Sequence, residues 1–130
     1  MADFTDYLEQ EILDWAFTVS AVTRPTAWWI ALFTTTPTAD AGTGGTEVSA
    51  GGYSRQGSIT FSRSASTLTP STSVSFGPAT ASWGTVNGFG VYDSSSGGNL
   101  LAFEDLTTPR AIGDGDSAKF STSDLSITLD

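Results

Sequence analysis

The sequence contains no cysteine and no histidine, and Lys119 is its single lysine. The absence of cysteine excludes disulfides, thiolate metal sites and cysteine nucleophiles. The absence of histidine removes the usual general base and the commonest ligand of zinc and iron. No apolar run approaches the roughly 20 residues of a membrane-spanning helix. These absences favour binding or assembly over catalysis, and we expect no catalytic residue, no cofactor, no metal and no membrane partner.

The charge is strongly acidic, with 14 carboxylates, 5 cations and a formal net charge of −9 over 130 residues. Such a chain repels phosphate backbones at long range, so we expect no nucleic-acid partner. The acidity favours solubility, and the alternative is that it faces a basic surface of a partner. Asp3 and Asp6 stand where a signal peptide would carry Lys or Arg, so we expect a protein that is made in a cytoplasm.

An apolar run from Ala27 to Phe33, closed by Pro37, predicts a buried central strand. A strand that is apolar on both faces needs one layer on each side, and a facing sheet and a helix are the expected layers. Side chains alternate across a strand, so its two faces should carry Trp28, Ile30 and Leu32 on one side and Trp29, Ala31 and Phe33 on the other.

The residues from Asp3 to about Val19 are predicted to form one amphipathic helix with Asp3 as its N-cap. The helix either covers the sheet of its own chain, which is the favoured interpretation, or docks on a neighbouring subunit. In the docking alternative its apolar stripe supplies the interaction residues. The stripe consists of Phe4, Leu8, Ile12, Trp15 and Val19, widened by Leu13 and Phe17.

The rest of the chain has the two-residue period of β-strands. The segments Thr38 to Ala50 and Ser64 to Ser73 are expected to be loops, and Gly97-Gly98 marks a reversal between two strands. Together with the central strand, strands are expected at Tyr53 to Ser62, Val74 to Phe76, Asn87 to Asp93, Leu100 to Glu104, Ala118 to Phe120 and Leu125 to Leu129.

These elements predict a mainly β protein with one domain. We expect an antiparallel β-sandwich of about seven strands, jelly-roll-like, with one N-terminal amphipathic helix. Residues 1–20 should form the helix, packed on or docking the sandwich, and residues 21–130 the sandwich itself.

The carboxylate pairs do not predict a catalytic or metal site. Glu104 and Asp105 are neighbours on a strand and should point to opposite faces. Asp114 and Asp116 flank Gly115 in a predicted turn, where they could offer calcium two oxygen ligands, but the remaining ligands of a calcium loop are missing.

Tryptophan could indicate a stacking surface for a sugar or a subunit. Trp15, Trp28 and Trp29 lie in apolar patterns and are expected in the core. Trp83, between Ser82 and Gly84, is the one candidate for an exposed platform and a tentative interaction residue, although core or subunit packing is the favoured interpretation.

Several segments resemble a family of small virion proteins of tailed bacteriophages, whose members are commonly labelled tail-fibre proteins. The resemblance covers nearly the whole chain. It rests on Ala31-Leu32-Phe33-Thr34-Thr35-Thr36-Pro37, Gly44-Gly45-Thr46-Glu47-Val48-Ser49, Gly51-Gly52-Tyr53-Ser54-Arg55-Gln56, Ala81-Ser82-Trp83-Gly84-Thr85-Val86 and Gly97-Gly98-Asn99-Leu100-Leu101.

The resemblance implies a virion structural protein, made in the host bacterial cytoplasm, that contacts the major capsid protein or tail proteins. An open sandwich leaves edge strands, and few Lys or Pro residues stand in them to block pairing, so we expect free sheet edges to recruit partners and the chain to form a homo-oligomer. The resemblance implies a preference for a trimer. Because the chain has no shaft of heptad or triple-β repeats, a capsid-surface decoration or cement protein is favoured. The alternative is a tail-fibre or tail-tip and baseplate component involved in host attachment.

Overall fold

The structure, a computed structural model, describes residues 3–38, 41 and 43–128. Within them lie ten strands, one α-helix and one 3-10 helix. In chain order these are β1 (Asp3–Phe4), α1 (Asp6–Phe17), β2 (Trp29–Thr35), β3 (Thr46–Glu47), β4 (Phe61–Ser64), β5 (Thr67–Pro70), β6 (Val74–Phe76), β7 (Gly84–Tyr92), β8 (Leu100–Ile112), β9 (Ala118–Phe120), the 3-10 helix (Thr122–Leu125) and β10 (Ile127–Thr128).

The strands form three antiparallel sheets. The largest has the order β1-β8-β7-β2-β3, a second has the order β10-β5-β4, and β6 pairs with β9. All three contribute buried side chains to one hydrophobic cluster, for example Ile30 and Phe89 from the first sheet, Ile127 from the second and Phe120 from the third. The predicted mainly β antiparallel fold with one helix near the N-terminus is therefore confirmed.

Strand β2 lies inside the largest sheet, between β7 and β3, and is buried as its apolar run predicted. Ile30 and Leu32 are fully buried in the main cluster. Phe33, which is 2% exposed, lies on the other face, where its ring is 6.5 Å from that of Tyr92. Gly90 permits this approach, because a Cβ there would lie 2.7 Å from the Phe33 ring.

Two segments that were predicted as loops contain strands. Thr46–Glu47 (β3) pairs with β2, and Thr67–Pro70 (β5) pairs with β4 on one side and β10 on the other. In the segment from Tyr53 to Ser62, where one long strand was predicted, only a bridge between Gln56 and Ile30 and the start of β4 are formed. The predicted count of about seven strands is therefore too low.

The end of the chain also differs from the prediction. A single strand was expected from Leu125 to Leu129, but Leu125 closes the 3-10 helix and only Ile127–Thr128 pair with β5. The capping box of Ser121 and Asp124 starts that helix. Leu129 lies outside the described residues.

Candidate protein-interaction site

Helix α1 is fixed to the sandwich at its first turn. Thr5, 2% exposed, is its N-cap and accepts a hydrogen bond from the amide of Leu8. The Thr5 hydroxyl donates to the carbonyl of Leu100 over 2.6 Å, and the Thr5 amide donates to that of Leu101 over 3.0 Å. Strand β1, which pairs with β8 directly before the cap, fixes the same end. The predicted cap at Asp3 is therefore wrong, because Asp3 belongs to β1.

The apolar side chains toward the other end of α1 are exposed. No residue of the helix is buried, and the exposed fraction rises along it, from 38% at Ile12 and 56% at Leu13 to 76% at Trp15 and 81% at Phe17. Monomeric proteins rarely expose contiguous apolar surface of this kind, and where it occurs it commonly marks an interaction site. Leu13 and Phe17 are called here the helix end.

A groove of about 500 Å³ runs between α1 and the segment Val22 to Pro25; we call it the helix groove. One face of α1 forms its wall through Leu8, Ile12 and Trp15, whereas Leu13 and Phe17 do not line it. The full lining is Tyr7, Leu8, Glu11, Ile12, Trp15, Val22, Thr23, Arg24 and Pro25. The helix thus has two apolar faces with different surroundings.

A second groove, of about 520 Å³, adjoins the first and opens between β8 and the sheet of β4, β5 and β10; we call it the sheet groove. Leu8, Arg24 and Pro25 line both grooves, so the two form one continuous apolar depression. The lining of the sheet groove is Phe4, Leu8, Arg24, Pro25, Trp28, Thr60, Phe61, Leu68, Val91, Leu101, Ala102 and Ile127.

Charge is distributed unequally between the helix and the grooves. Helix α1 carries four carboxylates, Asp6, Glu9, Glu11 and Asp14, and no Lys or Arg. Arg24 lies where the two grooves meet, and Arg63 lines a smaller cleft that shares Phe4, Leu68 and Ile127 with the sheet groove. In the described part of the chain, ion pairs join Arg55 to Glu47 and Arg110 to Asp124, and Arg63 donates to the carbonyl of Ala65.

A third feature, centred on Arg55, holds the reversal between β7 and β8 in place. The Arg55 guanidinium is paired with Glu47 at 2.9 Å and donates to the carbonyls of Ser94 and Gly97, each over 2.9 Å. It also lies 3.5 Å from the centre of the Tyr92 ring, a cation–π geometry. Because these interactions use its donors on the protein itself, Arg55 is a structural residue.

Tyr53 completes this network. Its hydroxyl donates to Glu47 over 2.6 Å and accepts from the amide of Leu32 over 3.0 Å. Burial acts to raise the pKa of the Glu47 carboxyl, but hydrogen bonds from Arg55 and Tyr53 outweigh it and hold that pKa below its ordinary value. Burial and the bond to Glu47 raise the pKa of Tyr53 far above its ordinary value, so its hydroxyl stays a donor.

Comparison with known proteins identifies the family. The model of a family described as podophage GP4 fiber I protein gp80 matches residues 3–128, almost the whole chain. The chain belongs to this family. No curated protein matches it. The resemblance to small virion structural proteins of tailed phages, often tail-fibre proteins, is therefore confirmed.

In this member of the fibre I family, four of the five predicted interaction residues come together. Phe4 and Leu8 line the sheet groove, and Leu8, Ile12 and Trp15 line the helix groove. Their role in an interaction stays a prediction. The expectation that Trp15 belongs to the core is wrong, because its side chain is 76% exposed.

Trp83, the fifth, lies apart from these residues. It is 4% exposed, its Nε1 donates to the carbonyl of Gly51 over 2.8 Å, and its ring meets that of Tyr53 edge-on at 5.5 Å. Trp83 is therefore a core residue, as the favoured interpretation held, and offers no exposed platform in the fibre I family fold.

The remaining sequence candidates are placed as follows. Asp114 and Gly115 form the predicted turn, and an Asp116 carboxyl oxygen accepts from the amide of Gly113 over 2.8 Å. Among the residues that the structure describes, no three acidic side chains are grouped so that they could hold a metal ion. The helices in those residues are also too short or too polar to cross a membrane.

Proposed function

We propose that the protein is a structural subunit of a podophage tail fibre, and that it joins the virion through the helix end. The observation that carries this proposal is the helix end itself, two large exposed apolar side chains on a helix whose other end is fixed by a buried cap. Burial of such side chains contributes about 1.5–3 kcal/mol each. A protein–protein contact at this surface would therefore be favourable.

The family match supports a fibre more than a capsid site, since the family is described by a fibre protein. The cement role favoured by the sequence stays a prediction, and the tail-fibre alternative is the one adopted here. The sequence contains no shaft repeats, and this favoured a capsid cement role. The same observation is compatible with a tail fibre in which this chain is one short subunit among longer ones. No enzymatic activity is part of this proposal.

The proposal is tested by incorporation into particles. A phage that lacks its own copy of the gene is complemented from a plasmid with the Leu13→Ser/Phe17→Ser double variant. Because both side chains are exposed, the change should leave the fold intact, and helical circular dichroism checks this. We expect purified particles to contain at least ten-fold less of the double variant than of the parent protein.

Two matched controls separate apolar contact from any effect of changing α1. Phe17→Leu keeps an apolar side chain at the helix end, and Gln10→Ser changes an exposed polar residue of the same helix. Both should be incorporated as well as the parent. Incorporation of the double variant at the parental level would contradict the proposal.

A further inference from the structure

We infer that the helix end of one copy of this chain docks into the sheet groove of a second copy, in a head-to-tail contact. This inference rests on the proposed function, since it names the partner of the same surface. It is carried by the position of the two apolar faces of α1, by the fixed direction of the helix, and by the distribution of charge.

The first step is that the two faces of α1 have different surroundings. Leu8, Ile12 and Trp15 already form a wall of the molecule's own depression, and Leu13 and Phe17 line neither groove. Each molecule therefore carries the apolar helix end, which acts as a projection, and the apolar depression at separate places. Such a pair of surfaces is satisfied between molecules when the helix end of one copy meets the sheet groove of another, and a head-to-tail arrangement is the one that fits the predicted trimer.

The second step is that the projection cannot fill the depression of its own chain. Leu8, which lines the sheet groove, and Phe17 are separated by nine residues, or about 13 Å along a helix. The cap at Thr5 and the pairing of β1 with β8 fix the direction of α1. Phe17 could reach the groove beside Leu8 only if the helix unfolded, so its side chain can enter a sheet groove only on another molecule.

The third step is charge, which selects between two ways of joining copies. Packing α1 against α1 of a second copy would bring four carboxylates of each helix together without any cation in either helix. Docking α1 in the sheet groove instead places the acidic helix beside Arg24 and Arg63. Like charges oppose the first arrangement and opposite charges favour the second. A heterologous contact forms a ring when its rotation closes, and the predicted trimer would be one such ring.

The absence of cysteine allows a direct test with single-cysteine variants of the full chain. Phe17→Cys places a thiol on the projection, and Leu68→Cys places one in the sheet groove. The two purified proteins are mixed at high micromolar concentration in 0.15 M salt, where charge repulsion is screened beyond about 8 Å. A short bis-maleimide then joins nearby thiols, and mass spectrometry identifies the peptides.

We expect the product that joins position 17 to position 68 to form in at least ten-fold higher yield than the product from a control mixture. The control mixes Phe17→Cys with Thr108→Cys, an exposed site that lines neither groove. Placing Arg24→Glu/Arg63→Glu in the Leu68→Cys partner should lower the yield at least five-fold. The matched Arg24→Lys/Arg63→Lys change keeps both charges and should retain most of it.

Two results would overturn the inference. A dominant product that joins two copies of the Phe17→Cys protein would show that the helices pair with each other. No product above the control, combined with loss of the Leu13→Ser/Phe17→Ser variant from particles, would show that a different virion protein covers the helix end, and the proposed function would then survive without this inference. Normal incorporation of that variant would instead refute the proposed function.

Discussion

At the scale of single residues, the Arg55 network shows how the fold can bury charge. The Arg55 side chain is 8% exposed and the Glu47 side chain 25% exposed. Their pairing is stable because Tyr53 and the carbonyls of Ser94 and Gly97 satisfy the remaining hydrogen-bonding groups. The network joins β3 to the reversal between β7 and β8, which are far apart in the sequence.

Glu47 should make stability depend on pH. Its pKa in the folded protein is below that of an unfolded chain, which is about 4.3. Its contribution is therefore fully present above that value and is lost as pH falls through the lower, folded pKa. Glu47→Gln should destabilise by about 1–3 kcal/mol at pH 7. Urea unfolding should show that the difference in the free energy of unfolding between the parent and Glu47→Gln decreases as pH falls from about 5 to 3.

The matched control makes the same Glu47→Gln change in an Arg55→Gln background. Without the guanidinium, the main cause of the low pKa of Glu47 is absent. The difference in the free energy of unfolding between Arg55→Gln and the Arg55→Gln/Glu47→Gln double variant should therefore no longer decrease in acid. A gap between parent and Glu47→Gln that is equal at pH 7 and pH 3 would show that Arg55 does not hold Glu47 in its charged form.

At the scale of elements, the predictions succeeded where a strand packs directly on the core. Strand β2 could be recognised because it is buried on both faces and therefore reads as a continuous apolar run. In β6 and β9 buried side chains recur every second residue, and in β7 Phe89 and Val91 alternate with glycines. Strand β5 was missed because it lies in a Ser/Thr-rich segment in which only Leu68 and Pro70 suggest burial. The alternation of Tyr53 and Arg55 was misleading, since a polar network rather than a strand ladder orients both side chains.

The candidate site was predictable only in part. The spacing of Leu8, Ile12 and Trp15 identified an apolar helix face, but a period does not tell what covers that face. The exposure of Trp15 follows from the direction of α1, which is set by the cap at Thr5. The sheet groove combines Arg24, Phe61 and Leu68 from separate segments, and no local pattern connects them.

Two phenylalanines allow a direct comparison of stability between the core and the helix end. Phe33→Ala removes a ring that is 2% exposed and should destabilise by about 3–5 kcal/mol, because the site cannot fully collapse around the cavity. Phe17→Ala removes one that is 81% exposed and should change the free energy of unfolding by no more than about 0.5 kcal/mol. Urea unfolding of dilute protein measures both.

Trp28→Ala is a useful intermediate, since Trp28 is half-buried and meets Phe61 edge-on at 6.4 Å. The loss of stability in Trp28→Ala should lie between those of Phe33→Ala and Phe17→Ala. Equal stability of the Phe33→Ala variant and the parent would show that β2 is not a core strand, and a large loss in Phe17→Ala would show that the helix end packs within its own molecule.

At the scale of the whole molecule, the surface available for assembly differs from the sequence-based expectation. Free sheet edges were expected to recruit partners. The edge strands β1 and β3 of the largest sheet are only two residues long, and β1 pairs with just Ala102 and Phe103 of β8 (Leu100–Ile112). Among the described residues, the edge of β8 from Leu106 onward pairs with no further strand, so it can still recruit a partner strand. The helix end and the continuous depression beside it add surfaces for side-chain packing, and we expect assembly to use them.

Electron microscopy of the intact phage, at a resolution that shows side chains, decides whether the helix end is a docking surface. The expected result is density for this chain in the tail fibre, with Leu13 and Phe17 of each copy covered by another protein chain. Copies whose helix ends face solvent throughout the particle would contradict the proposed mode of assembly.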